Sequence, residues 1–214
     1  MNKYQKTFST WDKLAQIYQD KFMEFALYND TYDTFLMSIN NYSSAKVLEV
    51  GCGPGNISKY LLSKNPELQI TAIDASKNMI DLAKMNNPTV QCIEMDARKI
   101  NKLTDQYDAV ICGFCMPYLS QSDVIDLISN CKNRLKNAGT LYLSFVEGDD
   151  SKSGYQVGSS GDKMYFYYHP LDVLQETLKA HCFKTEHLIH KQYTKADNTV
   201  EIHTIIIASK ISDN

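Results

Sequence analysis

Between residues 46 and 146 short apolar runs alternate with stretches of helical period. Lys46–Val50 closes on Gly51, Gln69–Ile73 on Asp74, Thr89–Met95 on Asp96 and Tyr107–Cys112 on Gly113; Thr140–Val146 is a fifth such run. Asn56–Leu62, Ser76–Met85 and Ser122–Leu135 lie between them. Ser76 is placed as an N-cap, and the Asn137-Ala138-Gly139 turn is expected to stop the last of these helices. Apolar strands separated by helices of ~10–15 residues indicate βαβ units and a parallel sheet buried on both faces.

The flanks complete the pattern. Residues 10–28, with Trp11, Leu14, Ala15, Tyr18, Phe22 and Phe25, and residues 30–41, with Tyr32, Phe35, Leu36 and Ile39, read as two helices. Asn40-Asn41-Tyr42-Ser43-Ser44 breaks the second. After Val146 the polar stretch 147–163 reads as a loop or weak hairpin, and Met164–Tyr168 is aromatic. Pro170–His181 reads as a helix. Phe183–Tyr193 and Thr199–Ser209 are strand-like and joined at Ala196-Asp197-Asn198, so the sheet should end in an antiparallel pair. The expectation is an α/β fold, a doubly wound and mostly parallel sheet of seven strands. A helical cap over 1–44 would precede one compact unit over 45–214.

Composition narrows the function. A chain of 214 residues suits one domain with a real core. The net charge is −3 and the arginines are Arg98 and Arg134 alone, which disfavours a nucleic-acid partner. No apolar run reaches the ~18 residues of a membrane span. Met1–Lys6 leads into an amphipathic stretch without a signal-peptide core, so the expected location is the cytoplasm and the six cysteines are expected as thiols. Cys112-Gly113-Phe114-Cys115 has the spacing of a redox pair but no helix start beside it, and Cys112 reads as a core residue. No zinc spacing is present, and no metal is expected.

The segment Val47-Leu48-Glu49-Val50-Gly51-Cys52-Gly53-Pro54-Gly55-Asn56 carries the chemistry. Glycine tolerates positive φ and lets a ligand approach the backbone. In an open parallel sheet this turn lies at a strand's carboxyl end, where ligands bind. The spacing is G-x-G-x-G, and Asn56 stands where a dinucleotide site would want its third glycine. Glu49 suits an ammonium group better than a pyrophosphate. Asp74 follows Gly51 by 23 residues, the place for an acid that meets ribose hydroxyls. Asp96-Ala97-Arg98 ends the next strand, beside the place for a base. The ligand so inferred has a ribose, a base and a cationic amino-acid end but no required phosphate, and S-adenosylmethionine fits that description.

Glu49-Val50-Gly51-Cys52-Gly53-Pro54-Gly55 resembles motif I of the class I S-adenosylmethionine-dependent methyltransferases, in their small-molecule branch of the type 11/25 kind. Asp74, Asp96-Ala97 and Tyr107-Asp108-Ala109-Val110 support the resemblance, and the alternation from 46 to 209 is similar to that family's seven-stranded fold with its terminal hairpin. The resemblance implies that Glu49 and the backbone from Gly51 through Cys52 to Gly53 face the methionyl end, with Asn56 in the same set. Asp74 would hold the ribose, Ala75 and Met79 would border the adenine, and Asp96 and the Ala97 N–H would meet the base. Gly113 and Phe114 would lie beside the sulfonium. Tyr18 is the residue of the cap expected to touch the cofactor.

The acceptor is less constrained. The Asn/Asp-Pro-Pro-aromatic tetrapeptide of nucleobase amino methylation is absent, its place held by Gly113–Tyr118. A small-molecule acceptor is expected, with Trp11, Tyr118, Tyr165, Tyr167 and His169 at its pocket. In a strand Tyr165, Tyr167 and His169 share a face, and aromatic walls suit a planar or apolar acceptor. Methyl transfer from a sulfonium releases a neutral group, so alignment and water exclusion can suffice. A general base is needed only where the acceptor must lose a proton; His169, Tyr118 and Glu147 are the candidates. Two other classes stay open. One is a non-catalytic S-adenosylmethionine-binding module. The other is a nicotinamide oxidoreductase, which the glycine spacing and Glu49 oppose. A monomer or homodimer is expected.

Overall fold

The computed structural model describes residues 2–39, 44–158, 161–195 and 197–211. The expected break at 40–43 and Ala196 of the expected hairpin turn lie outside the described residues. In chain order the elements are α1 (Lys3–Phe22), α2 (Asn29–Ser38), β1 (Lys46–Val50), α3 (Asn56–Lys64), β2 (Gln69–Asp74), α4 (Lys77–Asn86), β3 (Gln91–Glu94) and β4 (Tyr107–Cys112). Then follow α5 (Gln121–Arg134), β5 (Leu135–Val146), β6 (Gly154–Val157), β7 (Lys163–Phe166), α6 (Leu171–Ala180), β8 (Phe183–Thr194) and β9 (Val200–Lys210).

Seven strands form one sheet in the order β3-β2-β1-β4-β5-β9-β8. The first five are parallel, and β9 and β8 add the antiparallel pair. The order reverses between β1 and β4, which opens a crevice at their carboxyl ends. Both faces are covered. Leu48, Val110, Leu143 and Ile206 pack with Leu127 and Ile128 of α5 and Leu174 of α6 on one side. Val47, Ile111, Tyr142 and Ile207 pack with Phe35 of α2, Leu61 of α3 and Ile80 of α4 on the other.

Three differences from the sequence reading matter for the site. First, α1 starts at Lys3 rather than near residue 10, because Asn2 and Gln5 form a reciprocal capping box. It ends at Phe22, and the chain then turns through Phe25 and Tyr28. Second, the expected cap over 1–44 has two parts with different roles. α1 lies over the crevice, whereas α2 buries Tyr32, Phe35 and Leu36 in the core, with Tyr32 also reaching the inner end of the crevice. Third, of the two readings of residues 147–163 the hairpin is the one that forms, since β6 pairs antiparallel with β7, and what the sequence does not show is that β7 carries α1. The Thr10 hydroxyl donates to the Lys163 carbonyl at 2.8 Å, and the Tyr165 N–H donates to Thr7 Oγ1 at 3.1 Å.

Further ties fix α1 across the sheet. The Asp12 carboxylate accepts from Ser76 Oγ at 2.8 Å and from the Asn78 N–H at 2.9 Å. The Tyr4 hydroxyl pairs with Asp123, and the Arg98 guanidinium lies 3.7 Å from the Tyr4 ring centroid. Among the described residues no helix is long and apolar enough to cross a membrane.

Candidate functional site

At the end of β1 the chain turns through Gly51 (φ 71°) and Gly53 (φ 52°), left-handed conformations that favour glycine. The N–H groups of Gly51 and Cys52 both donate to the Ile73 carbonyl, at 2.8 and 2.9 Å, which ties the turn to β2. The two glycines differ in their surroundings. A Cβ on Gly51 would stand 2.6 Å from Cys115 Cβ, whereas one on Gly53 would meet only Tyr18, at 3.6 Å.

Asp74 ends β2. Its Oδ2 accepts from the Gly53 N–H and its Oδ1 from the Ser76 N–H, each at 2.9 Å. Burial raises its carboxyl above the usual range, and the backbone donors oppose that rise. Ser76 caps α4 by accepting from the Met79 N–H at 3.1 Å. Asp96 follows β3 and is gripped by the Arg98 side chain, with Nη2 to Oδ2 at 2.6 Å, and by the Arg98 N–H at 2.9 Å.

These strand ends border one cleft of about 780 Å³, open solvent at its mouth included. Thr7, Phe8, Trp11 and Tyr18 of α1 form its roof. Gly51, Gly53, Asp74, Ala75, Ser76, Met79, Met95, Asp96 and Ala97 form one side, and Gly113, Phe114, Cys115, Tyr118 and Leu119 the other. A chamber of about 410 Å³, open solvent again included, adjoins it and shares Tyr18, Gly51, Gly53, Gly113 and Phe114. Phe22, Phe25, Tyr28, Tyr32, Cys52, Asn56 and Ile57 complete its wall. Phe114, between the two spaces, holds a left-handed backbone (φ 53°) while its N–H donates to Ser144 Oγ at 2.8 Å. Such an outlier persists only where its surroundings determine it.

Of the residues expected at a cofactor, Tyr18, Gly51, Gly53, Asp74, Ala75, Met79, Asp96, Ala97, Gly113 and Phe114 line the cleft, and Cys52 and Asn56 line the chamber. Glu49 lines neither. It is 0% exposed behind the turn, where Ser58 Oγ donates to Oε2 and Oε1 has no partner. Burial pushes its carboxyl up to about 8.

The expected acceptor residues separate. Trp11 and Tyr118 line the cleft with their rings edge to face, centroids 5.3 Å apart. Tyr165, Tyr167 and His169 line neither space. β7 ends at Phe166, where the Tyr167 N–H donates to the Pro117 carbonyl at 2.7 Å, so the shared strand face expected of the three does not form. Tyr165 lies under Lys3 Nζ, 3.9 Å from its centroid. His169 is buried with Nε2 2.9 Å from the Met116 carbonyl oxygen, and burial lowers its basicity. Glu147 accepts from Thr204 Oγ1 at 2.7 Å and lines a separate surface hollow with Asp149 and Asp172.

Sequence reasoning places Phe8 only in the cap and does not single out Thr7, Met95, Cys115 or Leu119 for the cleft, nor Phe22, Phe25, Tyr28 or Tyr32 for the chamber. The helical spacing of Phe22 and Phe25 is visible in the sequence, but the turn that swings Phe25 and Tyr28 toward Phe114 is not.

Residues 47–139 match a family model described as a methyltransferase domain. The chain carries a methyltransferase domain with the fold of the class I S-adenosylmethionine-dependent methyltransferases. It is 29% identical over 113 residues to the malonyl-[acyl-carrier protein] O-methyltransferase of Acetivibrio thermocellus, a match covering 51% of this chain and 38% of that protein. It is 24% identical over 135 residues to the demethylmenaquinone methyltransferase of Thermotoga maritima, covering 62% and 58%. The chain thus spans less than two-thirds of the length of these curated relatives. The magnesium protoporphyrin IX methyltransferase of Synechocystis, solved with bound S-adenosylmethionine, shares the fold with a TM-score of 0.70 at 16% identity, over 98% of both chains.

Proposed function

We propose that this chain transfers a methyl group from S-adenosylmethionine to a small acceptor seated in the aromatic-walled chamber. One observation carries the reading: Gly51 and Gly53 after β1, Asp74 at the end of β2 and Asp96 after β3 all border a single cleft roofed by α1.

The residues present fit the cofactor. Gly53 leaves its backbone open to a ligand. Each Asp74 oxygen holds one backbone N–H and keeps acceptor capacity for ribose hydroxyls. Ala75, Met79 and Ala97 offer apolar surface beside Asp96 for an adenine. The unpartnered Glu49 Oε1 supplies negative charge behind the turn once that carboxyl ionises.

When bound, the sulfonium supplies an electrophilic methyl carbon and a neutral leaving group. The protein's own part is then alignment and exclusion of water. Trp11 and Tyr18 close the cleft from above, their rings edge to face at 5.4 Å. Phe22, Phe25, Tyr28 and Phe114 present rings to the adjoining space, which suits a planar or apolar acceptor. The net charge of −3 argues against a polyanion there.

Isothermal titration with S-adenosylmethionine and S-adenosylhomocysteine tests the reading. The expected result is micromolar binding of both and none of reduced nicotinamide dinucleotide. Absence of binding by either withdraws the proposal. Binding without labelled methyl transfer to any of a broad set of small aromatic acceptors reduces it to a binding module.

A further inference from the structure

Behind one residue of the chamber wall, Tyr28, lie two polar residues of β9. Tyr28 lines it, and the Tyr28 Oη lies 2.6 Å from His203 Nδ1. Both residues are buried, 8% and 6% exposed. On the far side of the imidazole, Nε2 stands 3.7 Å from Glu201 Oε2, within ion-pair range, and has no hydrogen-bond partner among the described residues. Glu201 and His203 are two apart on β9 and so share a face.

The groups around the imidazole set its tautomer. The other Glu201 oxygen accepts from Lys195 Nζ at 2.9 Å and from the Tyr168 hydroxyl at 3.1 Å, which leaves Oε2 to face His203. Tyr193 stacks on the His203 ring with centroids 4.8 Å apart, and Lys191 is its register partner on β8. A carboxylate beside Nε2 favours the tautomer with its proton there. Nδ1 then keeps its lone pair, the Tyr28 O–H donates to it, and the hydroxyl's own lone pairs are free. Phe114 packs on both members, its ring centroid 4.8 Å from each.

We propose that Tyr28, His203 and Glu201 form a proton relay that deprotonates a weakly acidic hydroxyl of the acceptor; this rests on the methyl-transfer reading above. The acceptor's O–H bond breaks and its proton moves to Tyr28 Oη as the Tyr28 proton moves to His203 Nδ1. The electron pair stays on the acceptor oxygen, where methyl transfer consumes it. The imidazolium so formed is held by Glu201. The hydroxyl, imidazole and carboxylate play the roles that such groups play in hydrolase triads, here with a phenol at the head. A buried Tyr–His hydrogen bond often serves packing alone. This one has its tyrosine at a cavity wall and a carboxylate at the remaining imidazole nitrogen.

The test uses the whole chain saturated with S-adenosylhomocysteine, with 4-nitrophenol as the acidic hydroxyl and its visible phenolate absorbance as the readout. The expected result is that binding to the wild type lowers the apparent pKa of 4-nitrophenol by about one unit, tenfold in the acid constant. Tyr28→Phe and His203→Gln should abolish that shift, and Glu201→Gln should reduce it, while all three bind S-adenosylhomocysteine as the wild type does. Nitrogen-15 spectra of the histidines give a second reading: His203 should be the Nε2–H tautomer. No nitrophenol shift in the wild type, an equal shift in Tyr28→Phe, or an Nδ1–H tautomer overturns the relay and leaves the cofactor reading standing. Failure of the wild type to bind S-adenosylhomocysteine overturns both.

Discussion

The Asp74 carboxylate holds the Gly53 N–H at 2.9 Å, so the acid that ends β2 also shapes the glycine turn that ends β1. Removing its charge should therefore weaken the ligand site twice, through the lost acceptor and through the loosened turn. Asp74→Asn is expected to lower S-adenosylhomocysteine affinity by roughly 1.5–3 kcal/mol, the range for hydrogen bonds to a charged group. Calorimetry at fixed pH measures this directly. An unchanged Kd would remove Asp74 from the site.

The neighbouring glycines should respond differently to a methyl group. Gly51→Ala drives a Cβ to 2.6 Å from Cys115 Cβ at a φ of 71°, so both packing and backbone oppose it. A loss of about 2–4 kcal/mol in unfolding free energy is expected, read by urea titration. Gly53→Ala meets only Tyr18, at 3.6 Å, and carries the backbone strain alone, about 1–2 kcal/mol. Its larger effect should be on ligand affinity, because Gly53 and Tyr18 both line the cleft. Equal destabilisation by the two substitutions would contradict this assignment.

The sheet was legible because its strands are short, apolar on both faces and punctuated by Gly or Asp. β1 and β4 match their expected bounds, and the residues that end β1 and β2 meet in the cleft. What the sequence hid is tertiary. The aromatic run 164–168 looks like a pocket wall by composition, yet Phe166 ends a strand that supports α1 from outside. His169 looks like a base beside a helix start, yet the fold turns its Nε2 to a backbone carbonyl. Conversely, Glu201 and His203 sit two apart on β9 like any pair on one strand face, and nothing local brings Tyr28 to them. That contact spans 175 residues and depends on how the turn after α1 packs against β9. Likewise α5 ends at Arg134, close to the expected stop, but β5 begins at once at Leu135, so Ala138 (φ 58°) lies within a strand where the sequence suggests only a turn.

His169 should prove structural. Its contact with the Met116 carbonyl braces the 3₁₀ turn of Met116–Tyr118, which carries Tyr118 into the cleft. His169→Ala leaves that buried carbonyl without its donor, at a cost of about 1–3 kcal/mol. The expected outcome is a lower Tm with S-adenosylhomocysteine affinity within about twofold of wild type, since hydrogen bonds that position rather than touch a ligand act mainly on stability. A variant of unchanged Tm that lost methyl transfer would instead restore His169 to the chemistry.

Glu49 makes a prediction with a definite sign. Burial raises its carboxyl from 4.5 to about 8 in the folded protein. Between those values the folded chain binds a proton that the unfolded chain has released. Stability from this group is therefore full at low pH and is lost as pH rises through the window, by at most about 1.4 kcal/mol per pH unit. Glu49→Gln cannot ionise, so its unfolding free energy relative to wild type should climb between about pH 5 and pH 8 and level off above that. An offset between the two proteins is expected as well, because beside Ser58 and the unpartnered Oε1 the amide brings two N–H donors where the neutral carboxyl brings one O–H. An offset does not alter the slope, and every other titrating group largely cancels in the difference. Urea unfolding of both proteins across that range measures it. A difference that stays flat with pH would mean that Glu49 is already ionised in the fold and that its charge is balanced within the turn.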